Sequence, residues 1–166
     1  SGNEIEVELN ENDSDSIAVY GSGGVFKFTN SYLYDKPSVL FGRKGTIGKP
    51  IYLDKKFWTV DTMYFVKFND KIVPKFCYYY LTFYPWDIIM TKTALPSIVG
   101  VDVENSFFAF PSITEQKQIA DYLDNKCSYI NRLIEKKEQL INELETYKKS
   151  LIYEYVTGKK RVGIQE

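Results

Sequence analysis

Ten residues, Phe41-Gly42-Arg43-Lys44-Gly45-Thr46-Ile47-Gly48-Lys49-Pro50, gather three cations and three glycines in one stretch. A guanidinium, two ammonium groups and a hydroxyl on a bendable backbone are suited to binding anions and base edges. Lysine neutralises phosphates, and arginine can take a guanine edge with two parallel hydrogen bonds. A nucleotide phosphate loop does not fit, because five residues separate Gly42 from Gly48-Lys49 where four are needed. Pro50 also stands where that motif places a magnesium-binding hydroxyl. The dinucleotide fingerprint fails as well. Arg43, Lys44, Thr46 and Lys49 remain as a DNA-facing set, against the plainer reading of a solvated hairpin loop. Two other segments, Tyr20-Gly21-Ser22-Gly23-Gly24 and Thr93-Ala94-Leu95-Pro96-Ser97, offer polar groups on loops. Tyr20, Ser22 and Ser97 therefore join the candidate set, with Lys27 and Lys92 as neighbouring cations.

Catalytic patterns are weak. Asp102 with Glu115-Gln116-Lys117 loosely resembles a nuclease carboxylate set, but Glu115 and Lys117 belong to the first turn of a helix. The chain has no histidine, so no imidazole base exists, and no serine or cysteine has a visible activating partner. Cys77 and Cys127 stand alone, without metal-ligand spacing or a disulfide framework. They read as ordinary thiols of a reducing cytosol, and no metal site is expected. No apolar run reaches the ~18 residues of a membrane span. The aromatic residues could stack single-stranded bases, but most are expected to be core.

The loops need a scaffold, and the aromatic content supplies it. Aromatics are 16% of the chain, chiefly 14 Tyr and 11 Phe, and all of the Phe and most of the Tyr lie before Pro111. Strands are predicted at Ile17–Tyr20, Val25–Phe28, Ser38–Phe41, Ile51–Leu53, Phe57–Val60, Met63–Phe68 and Phe107–Pro111. A short buried helix is predicted from Val73 to Tyr84, ended by Pro85. The expected class is α+β, with a small mixed or curled β-sheet domain followed by a long C-terminal coiled-coil helix. Charge follows the same division. Residues 1–16 carry six acids and no base, an acidic flexible segment. Residues 17–111 carry 11 Lys/Arg against 7 Asp/Glu, although the whole chain has a net charge of −1. Local charge is the better guide to a partner.

After Pro111 the pattern changes to a helix over residues 112–160, with a tail at 161–166. Thr114 is expected to cap it, Lys117 denies it a capping box, and Gly158 with Lys159-Lys160 marks its stop. Ile130, Leu133, Leu140, Leu144, Tyr147 and Leu151 recur in steps of 3, 7, 4, 3 and 4. That is a heptad whose missing member falls at Lys137. A helix with one apolar stripe must cover it, and dimerisation is the expectation.

The chain also resembles the specificity subunits of type I restriction-modification enzymes. The likeness is carried by Tyr20–Gly24, Gly42–Gly48, Phe57-Trp58-Thr59-Val60-Asp61-Thr62 and Thr93–Ser97. It continues through Pro111-Ser112-Ile113-Thr114-Glu115-Gln116, Ile119, Leu123-Asp124 and Val156-Thr157-Gly158-Lys159. The resemblance implies a non-catalytic, cytoplasmic module in which residues 17–111 are a target-recognition domain for double-stranded DNA with a bipartite site. It implies docking to methyltransferase and restriction or translocase subunits, which bring S-adenosylmethionine, ATP and magnesium; no cofactor is expected here. Family members hold two recognition domains and two helices, so one of each implies a half-subunit or fragment that homodimerises or pairs with another half. Thr62 stands where the family often has histidine. The competing function is a protein-interaction scaffold or anti-restriction mimic that dimerises through its helix.

Overall fold

The computed structural model describes residues 5–105 and 110–163. The chain divides into two compact units, Ser1–Asp121 and Tyr122–Glu166. In the first unit, strands β1 (Ile17–Gly21), β2 (Gly24–Thr29) and β5 (Trp58–Thr59) form one sheet in the order β2-β1-β5. Strands β3 (Ser38–Gly42), β4 (Ile51–Leu53) and β6 (Met63–Phe65) form a second in the order β4-β3-β6. The α+β class holds, with two small sheets where one curled sheet was expected.

β3 explains why its sequence reads as an uninterrupted apolar run. All five of its residues are buried, because it is covered on both faces. Leu40 packs with Tyr20, Leu53, Phe57 and Met63, which joins the two sheets. Val39 and Phe41 point the other way, into a cluster with Cys77, Leu81, Trp86 and Ile98. Alternate residues of a strand face opposite sides, so one strand serves two cores. β2 does not alternate regularly along its length. Val19 pairs with Lys27 but Tyr20 pairs with Val25, which leaves Phe26 as the extra residue of a β-bulge. A bulge breaks the strict alternation of facing along its strand, and Phe26 is exposed. Two predicted strands are shorter than expected: Phe57–Val60 shrinks to β5 and Met63–Phe68 to β6. The strand expected over Phe107–Pro111 lies mostly outside the described residues, and Phe110 and Pro111 are not in a strand.

Helix α1 (Pro74–Phe83) places Pro74 in its first turn, where a missing N–H costs no helical bond. It ends before Pro85, and the buried Trp86 indole donates to the Leu81 carbonyl at 3.0 Å. A 3₁₀ turn follows at Trp86–Ile88, then a short helix α2 (Gly100–Glu104) that the sequence pattern did not announce.

Helix α3 runs from Ile113 to Val156, unbroken through Asp124-Asn125. Its cap is not Thr114. The chain is already helical at Ile113, and the Glu115 N–H donates to Ser112 Oγ at 3.3 Å. Ser112-Ile113-Thr114-Glu115 has the S-x-x-E signature of an N-terminus, two residues before the expected one. Gln116 then ties this start to the first unit. It is 1% exposed; its Oε1 accepts from the Val73 N–H at 2.9 Å, and its Nε2 donates to the Lys71 and Pro111 carbonyls. At the other end Gly158 adopts a left-handed φ of 74°, and its N–H donates to the Tyr155 carbonyl at 3.2 Å. That is the glycine stop read from the sequence.

Candidate nucleic-acid interface

Three segments far apart in sequence meet in the first unit, at the ends of β1 and β3 and the start of β6. The first is the tip of the β1–β2 hairpin, a two-residue turn at Ser22-Gly23. The second is the loop that leaves β3 at Gly42 and returns at β4. The third is Thr91–Ile98. Backbone pairing locks the last two together. The Gly45 N–H donates to the Pro96 carbonyl at 3.0 Å, the Ile98 N–H donates to the Arg43 carbonyl at 2.9 Å, and Lys44 pairs with Ser97. Ser22 lies against the glycine loop, with its Oγ 3.0 Å from where a Cβ on Gly45 would stand.

The glycines of this loop now have physical causes. A Cβ on Gly42 would collide with the carbonyl oxygen of Thr46, so the loop closes on its own backbone there. Gly48 has φ 80° and lies on the Trp86 ring. These close approaches are internal, so the loop reaches the surface as a built feature rather than a slack one. Beneath it, the Asp61-Thr62 turn supplies the support that charge patterning did not reveal. The Thr62 carbonyl accepts from the Arg43 and Lys44 N–H groups at 2.8 and 3.4 Å. Arg43 Nη1 donates to the Asp61 carbonyl at 3.1 Å, and its guanidinium lies 5.9 Å from the Tyr64 ring.

Among the sequence candidates, Ser22, Arg43, Lys44, Thr46 and Ser97 therefore fall together. Lys49 and Lys92 extend the same loops with exposed side chains. Two candidates fall elsewhere. Tyr20 is 7% exposed and packs with Leu40, Phe57 and Met63; burial pushes its phenol pKa upward. The expectation that it offers an exposed polar group is corrected, because it precedes the turn and points inward from β1. Lys27 sits mid-strand opposite Val19 and forms a 2.7 Å ion pair with Glu8 of the acidic segment. Leu9 next to that glutamate is itself bonded to Phe28. The Thr91–Ser97 loop is closed at its neck. The Thr91 N–H donates to the Ser97 carbonyl at 2.9 Å, and the Ser97 N–H donates to Thr91 Oγ1 at 3.0 Å. The result is a face of cations and hydroxyls braced by backbone hydrogen bonds, chemically suited to phosphate oxygens and base edges.

In the second unit the predicted stripe is uncovered. Ile130, Leu133, Leu140, Leu144, Tyr147 and Leu151 are all exposed in the single chain, Tyr147 at 65%. Among the described residues, no helix is long and apolar enough to cross a membrane.

A two-sheet α+β unit with a basic three-loop face, followed by a long helix with an uncovered stripe, defines a recognisable class. Residues 4–146 match the family described as "Type I restriction modification DNA specificity domain", and the chain belongs to that family. A solved chain from work on complex assembly and conformational transition of the type I R-M system superposes with a TM-score of 0.72 at 16% identity. That match covers 86% of this chain and 38% of the other. The type I restriction-modification system S subunit from M. genitalium superposes with a TM-score of 0.62 at 20% identity, covering 86% and 40%. At such identities the likeness concerns the fold, and the chain spans about two fifths of the length of these solved chains. No curated protein matches.

Proposed function

We propose that this chain is a non-catalytic DNA sequence-recognition module of a type I restriction-modification system, reading one half of a bipartite site. Residues 17–111 form the reading domain. The helix of residues 112–160 pairs with a second copy or another half through Ile130, Leu133, Leu140, Leu144, Tyr147 and Leu151. Methyltransferase and restriction or translocase subunits dock to the paired form and bring the cofactors. The observation that carries this reading is the meeting of the Ser22 turn, the Arg43–Lys49 loop and the Thr91–Ser97 loop, which hydrogen bonds and close contacts hold side by side. Cations from separate segments with hydroxyls between them can contact phosphates and base edges together. Family membership supports the same reading.

Selection from random-sequence duplexes with the full chain tests it. Enrichment of a gapped motif, lost in a Lys44→Ala/Lys49→Ala double variant, is the expected result. No enrichment by the folded chain would overturn the DNA reading and favour a scaffold that acts through its helix.

A further inference from the structure

Leu95 is 61% exposed, and its surroundings hold it there. Three residues on, Ile98 is 2% exposed and belongs to the core with Phe41 and Trp86. Between them Pro96 restricts the backbone of Leu95 to extended conformations, and its carbonyl accepts the Gly45 N–H. The Thr93 hydroxyl donates to the Leu95 carbonyl at 2.8 Å, while the Thr91 and Ser97 hydroxyls lie 3.0 Å apart across the neck. The loop therefore cannot fold its leucine back without losing bonds at both ends. Single exposed leucines are ordinary on protein surfaces. This one is projected from a braced loop that also bears Lys92 and pairs with Lys44.

Cations and hydroxyls read acceptors and donors, but one base feature in the major groove is apolar, the C5-methyl of thymine. Leu95 is the largest exposed aliphatic side chain on these three loops, reaching beyond the single methyl of the exposed Ala94 beside it. We infer that Leu95 reads a thymine methyl in the target block, an inference that rests on the DNA-reading function proposed above. The partner chemistry is a methyl group at the major-groove edge, packed against the isobutyl side chain and removed from water.

The test uses the full chain and the duplex motif it selects from a random library. Each thymine of a block is replaced in turn by deoxyuridine, which removes the methyl and keeps the base pair. At one position the wild-type chain should bind about 3–5-fold more weakly, the size expected for one buried methyl group. The Leu95→Ala variant should be indifferent to that replacement, while circular dichroism and melting match wild type because the side chain is exposed. The inference is overturned if Leu95→Ala keeps the same preference, or if no thymine methyl matters to the wild-type chain. It is also overturned if the variant loses affinity equally for every duplex, as a wedge or a general packing role would produce. Failure of the wild-type chain to select any motif would bring down the DNA reading itself. A selected motif with unchanged methyl preference would bring down only the assignment of Leu95.

Discussion

Gly42 occupies a position where no side chain fits, since a Cβ would meet the Thr46 carbonyl oxygen. Gly42→Ala should therefore cost at least about 2 kcal/mol, because the clash is with backbone that must move. Gly23→Ala, with open space around it, should stay within about 0.5 kcal/mol of wild type. Denaturant midpoints of the two variants decide the matter, and equal midpoints would mean the loop relaxes freely. The thiols make a second contrast at this scale. Cys77 is buried, and burial pushes its pKa up to about 12; Cys127 is half-buried on α3. A thiol reagent at pH 8 should label Cys127 in the folded chain and reach Cys77 only on unfolding. The folded state keeps a proton on Cys77 that the unfolded chain releases near its ordinary value of about 8.5. Its contribution to stability is whole below that pH and is lost progressively as pH rises toward 12. Mass spectrometry of the labelled sites, before and after denaturant, shows which cysteine reacts; early labelling of Cys77 refutes this account.

The start of α3 shows how one element is fixed to its unit. Ser112 caps it and Gln116 holds it, with three bonds from one buried amide to the Lys71–Val73 segment and Pro111. Ser112→Ala should lower stability by about 1 kcal/mol, whereas Thr114→Ala should be nearly silent. The reverse order in thermal melts would restore Thr114 as the cap. Gln116→Ala strands one N–H and two carbonyls, at about 2–3 kcal/mol. Gln116→Glu should rescue little, since a carboxylate cannot donate to the Lys71 and Pro111 carbonyls. Full rescue by glutamate would show that the side chain's shape matters and its donors do not.

For the molecule as a whole, the uncovered stripe of the second unit and the basic face of the first lead to linked expectations. Sedimentation should detect self-association of the wild-type chain at tens of micromolar, and Leu140→Asp and Leu144→Asp should abolish it, since the association depends on protomer concentration. A monomeric wild type would mean that the covering helix comes from another chain. If two copies pair about a two-fold axis, each reading face meets the same bases on opposite strands. The selected motif should then be an inverted repeat around unread base pairs; an asymmetric motif would exclude the symmetric pair. Lys49→Ala should weaken binding to all sequences alike and lower the salt slope by about 1. A change confined to one base position would make Lys49 a reader instead.

What the residues alone determined is local or periodic. The heptad from Ile130 to Leu151, the Gly158 stop, the apolar run of β3 and the cationic glycine loop are each set by neighbours within a few positions. Helix period, left-handed glycine and strand burial act over that range. The Ser112 cap was also legible, in its S-x-x-E spacing, although Thr114 is likewise a cap former by residue type. Tertiary structure alone decided which way Tyr20 faces, that Phe26 bulges out, and that Lys27 is taken by Glu8. It also decided that Gln116 reaches back to residues more than 40 positions earlier. The same is true of the meeting of Ser22, Lys44 and Ser97. Their spacing in the chain carries no signal of contact, because backbone bonds between loops depend on how the two sheets pack and not on the side chains that the loops display.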